Sequence, residues 1–130
     1  MKVLRTYPDV ERLVVDHLGS QVEGFTVAVG GPPDDWTTAS DPHVQVNLDA
    51  TATVHPISAT STVRLTAWSA SPTTSKRIVQ ECQALMLYEP GDGIVHTRPG
   101  AGLITAHDDD HDAELASLTV LVRTRSTGLG

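Results

Sequence analysis

Residues 62–68 alternate strictly between two kinds of position: Val63, Leu65 and Ala67 are apolar, and Thr62, Arg64, Thr66 and Trp68 fall in the other set. A period of two puts the sets on opposite faces of a strand, one buried and one facing out. Ser71-Pro72 then pairs a residue suited to a helix N-cap with the residue best fitted to a first helical turn. The predicted helix runs to Leu87. Ile78, Val79, Cys82, Leu85 and Met86 form its buried stripe, and Lys76, Arg77, Gln80, Glu81 and Gln83 its wet face. Gly91-Asp92-Gly93 ends the unit.

The same reading extends along the chain. Tyr7-Pro8-Asp9 opens a first helix in which Val10, Leu13, Val14, His17 and Leu18 share one face; Gly19 is expected to stop it. Asp9 and Glu11 sit favourably at its positive end. Residues 25–29 read as a strand with Phe25, Val27 and Val29 on one face, followed by a breaker run from Gly30-Gly31-Pro32-Pro33-Asp34-Asp35 that opens a loop to Asp41. Val44, Val46 and Leu48 alternate with His43, Gln45 and Asn47 as another strand. The Ala/Thr-rich residues 49–60, with Pro56, read as an irregular connection or short edge piece.

Residues 94–98 predict a short strand turned by Pro99-Gly100-Ala101-Gly102. Residues 103–107 and 115–125 flank an acidic tip, a hairpin pattern in which Leu118, Val120 and Val122 face the core and Thr119, Leu121 and Arg123 face out. The expected fold is α+β: a two-layer sandwich, mostly antiparallel, with two helices packed on one face. Its 130 residues suit a single domain, and no internal repeat or linker divides them.

Composition narrows the function. A formal charge of −7 argues against an independent nucleic-acid-binding module or attachment to an anionic membrane surface. The lone cysteine, Cys82, gives no intrachain disulfide framework. No run approaches a membrane span, and residues 1–5 lack the apolar core of a signal peptide. These features suit a chain made in a reducing cytoplasm.

The candidate chemistry is sparse. Asp108, Asp110 and Asp112 match the first three ligand positions of a calcium loop, but Ala113 stands where glycine is needed and Thr119 where the bidentate glutamate is needed. His107 and His111 are four apart without the glutamate of a zinc-protease helix. A solvated hairpin tip is the plainer reading of Asp108, Asp109, Asp110 and Asp112, and such a tip could also line a channel and repel a polyanion. Cys82 reads as a small core hydrophobe, and His17 as a core or boundary residue. His43, His55 and His96 have no partner that spacing identifies, and no Gly-x-Ser-x-Gly elbow is present. Gly30-Gly31 lacks the lysine and helix start of a phosphate loop. By alternation Trp68 points away from the core, and Trp36 lies in a loop; exposed tryptophans often anchor subunit contacts, and the alternative for Trp68 is packing under a neighbouring loop of its own chain. The outward set Arg64, Thr66, Trp68, Thr119 and Arg123, with Trp36, is the candidate subunit interface.

The order of these elements resembles the tail terminator (tail completion) proteins of long-tailed bacteriophages (siphoviruses), especially those infecting actinobacteria. The residues that carry the likeness are the leading helix at 7–13, the strand Pro42-His43-Val44-Gln45-Val46-Asn47-Leu48, the strand Val63-Arg64-Leu65-Thr66-Ala67-Trp68 with its capped helix, and the closing strand Ala116-Ser117-Leu118-Thr119-Val120-Leu121-Val122-Arg123. The resemblance implies a structural virion protein, assembled in the host cytoplasm and placed at the tail–neck junction. It implies a homohexameric ring that ends tube growth, touches the tail tube protein and a neck stopper or connector, and lets genomic DNA through its lumen without sequence recognition. It implies neither catalysis nor a cofactor. Six copies at −7 each would give the ring −42 formal charges, so a negative lumen would let DNA slide. The loop from Gly30 to Asp41 is expected to order on a neighbouring ring. The alternatives are another head–tail connector or stopper component and, in a different class, a small metal-binding module or metal-dependent enzyme built on His107, Asp108, Asp110, His111 and Asp112.

Overall fold

A computed structural model of the chain describes residues 4–6, 8–54, 58–125 and 127–129. Its elements are β1 (Leu4–Thr6), α1 (Val10–Gln21), β2 (Thr26–Val29), β3 (His43–Val54), β4 (Ser58–Ser69), α2 (Pro72–Tyr88), β5 (Ile94–Pro99), β6 (Ile104–Asp108), β7 (Ala113–Arg125) and β8 (Thr127–Leu129). Six strands form one sheet in the order β2-β3-β4-β7-β5, with β6 also paired to β7; β1 and β8 form a separate antiparallel pair. Both helices pack on one face, giving the expected α+β sandwich. Tyr7, His55 and Pro56, together with the signal-peptide question at residues 1–3, lie outside the described residues. Among the described residues no helix is long and apolar enough to cross a membrane.

The core follows from the two periodicities. Val63, Leu65 and Ala67 of β4, Val44 and Val46 of β3, and Ala116, Leu118, Val120 and Val122 of β7 point to the helices. Val10, Val14, Val15 and Leu18 of α1, with Ile78, Val79, Cys82 and Met86 of α2, cover them. Each fully buried branched side chain contributes about 1.5–3 kcal/mol relative to exposure, so this interlayer contact is the main stabilising term. Polar groups secure its edges. Asp9 accepts from the Arg12 backbone N–H as the N-cap of α1. Glu11 accepts the Leu48 N–H at 2.8 Å, where an irregularity between Leu48 and Ala50 interrupts the β3–β4 register.

Five local expectations are corrected. Gly19 does not stop α1, which continues to Gln21 and closes with the Val22 N–H bonded to Leu18 O; a glycine inside an exposed helical turn costs only about 1 kcal/mol relative to alanine. The described residues among 49–60 are strand and not an irregular connection: β3 and β4 are twelve residues each and pair from His43↔Trp68 to Val54↔Ala59, with Ala50, Thr51, Thr53, Ala59 and Thr60 in that ladder. Ser71 occupies the N-cap position of α2 without a side-chain cap bond. Ser75 instead ties the helix start to the sheet, donating to the Glu114 carbonyl at 2.7 Å with its hydroxyl 2.6 Å from that of Ser69.

The breaker run at 99–102 does not reverse the chain. β5 and β6 pair with successive stretches of one edge of β7, because Gly100 N–H bonds to Thr119 O and Thr119 N–H bonds to Ala101 O across the interruption. Finally, Thr119 is not an outward residue. It is 1% exposed under residues 100–101, its hydroxyl accepts the Ala101 N–H, and a Cβ at Gly100 would fall 2.2 Å from that hydroxyl.

Among the described residues the pairing of β2 with β3 is the one parallel ladder, running from Thr26↔His43 to Val29↔Val46. A parallel pair needs a long crossover. Here the crossover is the breaker loop from Gly30, and it travels over the face that the helices leave open.

Candidate functional site

The crossover loop begins at Gly30, whose φ of +84° is a left-handed conformation that glycine adopts without strain. His43 holds this point. Its Nε2 lies 3.3 Å from the Gly30 carbonyl, which can only accept, so Nε2 carries the proton and Nδ1 accepts from Thr26 Oγ1 at 2.8 Å. Burial, opposed in part by the bond to Gly30, lowers the pKa of His43 and keeps the ring neutral. Turn bonds from Trp36 N–H to Pro33 O and from Ser40 N–H to Thr37 O fold the loop on itself. Trp36 Nε1–H donates to Asp41 O at 2.9 Å.

These contacts aim Trp36 down onto the sheet, where it is 7% exposed. Its ring meets Trp68 edge-on with centroids 6.2 Å apart, and His111 of the β6–β7 tip at 6.0 Å. Trp68 and His111 also meet edge-on, at 5.5 Å. Trp68 Nε1–H donates to Gln45 Oε1 at 3.0 Å. Three segments distant in sequence thus close on one aromatic cluster, in which each edge-to-face pair adds about 0.5–1.5 kcal/mol beyond area burial. The choice left open for Trp68 resolves toward packing under the loop of its own chain. Trp36 is spent inside its own fold and offers no interface side chain. The loop that was expected to order on a neighbouring ring is ordered on its own sheet.

The acidic tip is organised by two histidines. Asp108 Oδ2 accepts from the His111 backbone N–H at 2.9 Å and from His111 Nδ1 at 2.7 Å; the side-chain bond chiefly, then the backbone bond, lowers the Asp108 pKa. His107 lies 2.8 Å from Glu114, 3.2 Å from Asp112 and 3.6 Å from Asp109. The Glu114 hydrogen bond first, and the surrounding carboxylates after it, raise the His107 pKa. Asp112 closes the turn at φ +49°, a position short polar side chains tolerate. Of the three aspartates that match a calcium loop, Asp108 meets His111 and Asp112 meets His107, and among the described residues no three His, Cys, Asp or Glu side chains are arranged to hold a metal ion.

The remaining candidates spread along the helix-free face. Arg64 pairs with Asp49 at 3.1 Å and donates to Ser117 at 2.9 Å, so its charge is locally met. Thr66 is buried against Ser117. Arg123 donates to Ser58 at 3.2 Å and has no carboxylate within 4 Å among the described residues. Beside it, Thr60, His96, Arg98 and Leu121 complete a hollow of about 140 Å³. Sequence reasoning missed His96 and Arg98. Alternation puts them on one side of a strand, but only the register, His96↔Arg123 and Arg98↔Leu121, brings them to this place.

Cys82 is fully buried, and desolvation with a smaller push from Glu81 carries its thiol up to about 12, which makes it a packing residue. His17 lines a larger hollow of about 400 Å³ with Asp16, Glu89 and Asp92; Gly91 packs so close that a Cβ there would lie 2.7 Å from the His17 Cβ. Comparison with protein-family models gives no match, and a search of the curated proteins gives none.

Proposed function

We propose that this chain is a tile of a closed ring at the head-proximal end of a phage tail tube, ending tube polymerisation and joining the tail to the neck. In this reading its partners are further copies of itself in a hexamer, the tail tube protein and a neck stopper or connector. Genomic DNA crosses the lumen without sequence recognition, and no catalysis or cofactor is involved. The observation that carries the reading is the helix-free sheet face. One face of the sheet is sealed by α1 and α2, while the other keeps Arg64, Trp68 and Leu121 partly accessible and Arg98 and Arg123 exposed. Beyond the docked loop this face mixes arginine and aliphatic groups, and arginine is enriched at protein contact surfaces. The two-layer fold and the element order that resembles tail terminators support the same assignment.

Electron microscopy of particles assembled without this protein tests it. Overlong tails or heads without tails are expected, and particles of normal length and normal junction would reject the assignment. With purified components, the chain is expected to bind the ends of tail tubes and not their sides. Uniform decoration along the tube would contradict a terminating role.

A further inference from the structure

We propose that the hollow lined by Arg98 and Arg123 is a socket for the acidic β6–β7 tip of a second copy of this chain, so that copies join head to tail; this rests on the ring reading above and names its contact. The first support is the division of charge along β7. At one end, residues 30–41 and 107–114 carry eight carboxylates and no lysine or arginine. The Trp36–His111 contact brings these two segments together. At the other end, Arg98 and Arg123 flank the hollow, and Arg125 follows Arg123 at the next position on the same face. Among the described residues none of these three has a carboxylate within 4 Å, whereas Arg12 and Arg64 do.

The two ends cannot satisfy one another within one chain. Asp112, at the turn that opens β7, and Arg123, near the strand's far end, are roughly 35 Å apart at about 3.3 Å per residue. At physiological salt, charges that far apart are screened from one another, since the Debye length is about 8 Å. Direct contact between copies removes that separation.

The second support is shape. The tip is a narrow hairpin whose Asp109 and Asp112 side chains are 98% and 92% exposed. Asp108 and His111 fix its turn, so little ordering is needed on docking. The hollow, about 140 Å³, accommodates one or two carboxylates beside the Thr60 hydroxyl and the His96 ring. A contact between unlike patches on identical chains is heterologous, and it closes into a ring when the rotation per copy permits. Nucleic acid is the less fitting occupant, because the basic patch is one short hollow on a chain of net charge −7 and not a stripe that follows a phosphate backbone.

Two charge-reversed variants test the socket: Arg98→Glu with Arg123→Glu, and Asp109→Lys with Asp110→Lys. All four side chains are exposed, and circular dichroism checks that the fold is kept. Sedimentation of the purified full chain, alone and with tail tubes, measures association. Each variant alone is expected to associate at least about tenfold more weakly than the wild type, and wild-type association is expected to weaken with added salt. An equimolar mixture is expected to recover assembly, because the acidic tip of one variant meets the basic socket of the other and the reversed pair matches equally well. Wild-type rings with undiminished association of either variant, or a mixture that stays dissociated, would overturn the socket while leaving the ring reading intact. An arginine variant that assembles normally but loses retention by a short DNA duplex would overturn it in favour of a phosphate site. A wild type that remains monomeric both free and at tube ends would overturn socket and ring together.

Discussion

Replacing Trp36 by alanine is expected to undock the crossover loop and to lower the stability of the whole domain by about 3 kcal/mol. The side chain is 7% exposed, so nearly all of it is withdrawn from water. A tryptophan of roughly 200 Å² at about 25 cal/mol per Å² sets a ceiling near 5 kcal/mol. The two edge-to-face pairs, with Trp68 and His111, add about 0.5–1.5 kcal/mol each, and the bond to Asp41 O adds about 1 kcal/mol. The loss falls below the sum of these terms because the ring sits between a loop and a sheet face. When it is removed the loop can swing into water, which avoids a void and rehydrates the Asp41 carbonyl, whereas a truncation deep in a core has no such relief. Urea denaturation followed by circular dichroism is the assay. With a slope of about 2 kcal/mol per M, the midpoint should fall by about 1.5 M. Trp36→Phe keeps an apolar ring and loses the N–H donor, so it should cost only about 1 kcal/mol. A double-mutant cycle with His111→Ala should return a coupling of about 0.5–1.5 kcal/mol. A midpoint shift below about 0.3 M for Trp36→Ala, with an unchanged slope, would refute the claim that this ring docks the loop.

Two further outcomes follow from the same geometry. The pH response has opposite signs at different histidines. His43, lowered by burial, should contribute stability that is full above its ordinary value of 6.5 and declines as pH falls below it. Asp108, lowered by His111, contributes above the usual carboxylate range and loses this as pH falls through its depressed pKa. His107, raised by Glu114, contributes below 6.5 and loses this as pH rises through its elevated pKa. NMR titration of the two rings should therefore place His107 above and His43 below the ordinary value, and the reverse order would break the assignment of their partners. Two glycine substitutions should also differ in sign: Gly19→Ala, in open space within α1, should raise stability by about 0.5–1 kcal/mol, and Gly100→Ala, which collides with Thr119, should lower it by about 1–3 kcal/mol. Equal melting shifts for the two would show that the close approach of residues 100–101 to Thr119 does not exist in solution.

Part of this molecule was legible along the chain because local periodicity reports burial directly. The alternation at Val63, Leu65 and Ala67, and again at Leu118, Val120 and Val122, names the sheet's inner face, and the stripe from Ile78 to Met86 names the helix that covers it. The same rule misread Thr119, because alternation tells which face a residue occupies and not what other chain segment lies on that face. Breaker residues were similarly half-informative. Pro32-Pro33 and Pro99-Gly100 both mark departures from regular structure, yet one opens a crossover between parallel strands and the other only interrupts an edge pairing. That difference lies in which backbone donors find acceptors, and those acceptors sit far away in the sequence.

The chain alone determined the α+β class, the two helices, the inner face and the acidic character of the hairpin tip, since each depends on residues within a few positions of one another. Only the tertiary structure decided that Trp36, Trp68 and His111 meet, that β2 runs parallel to β3, and that Arg98 joins Arg123 at the far end of β7 from the carboxylates. The physical reason is register. A strand's period says which side a residue faces, but its neighbours across the sheet are set by long-range pairing, and one step of slip would exchange every contact.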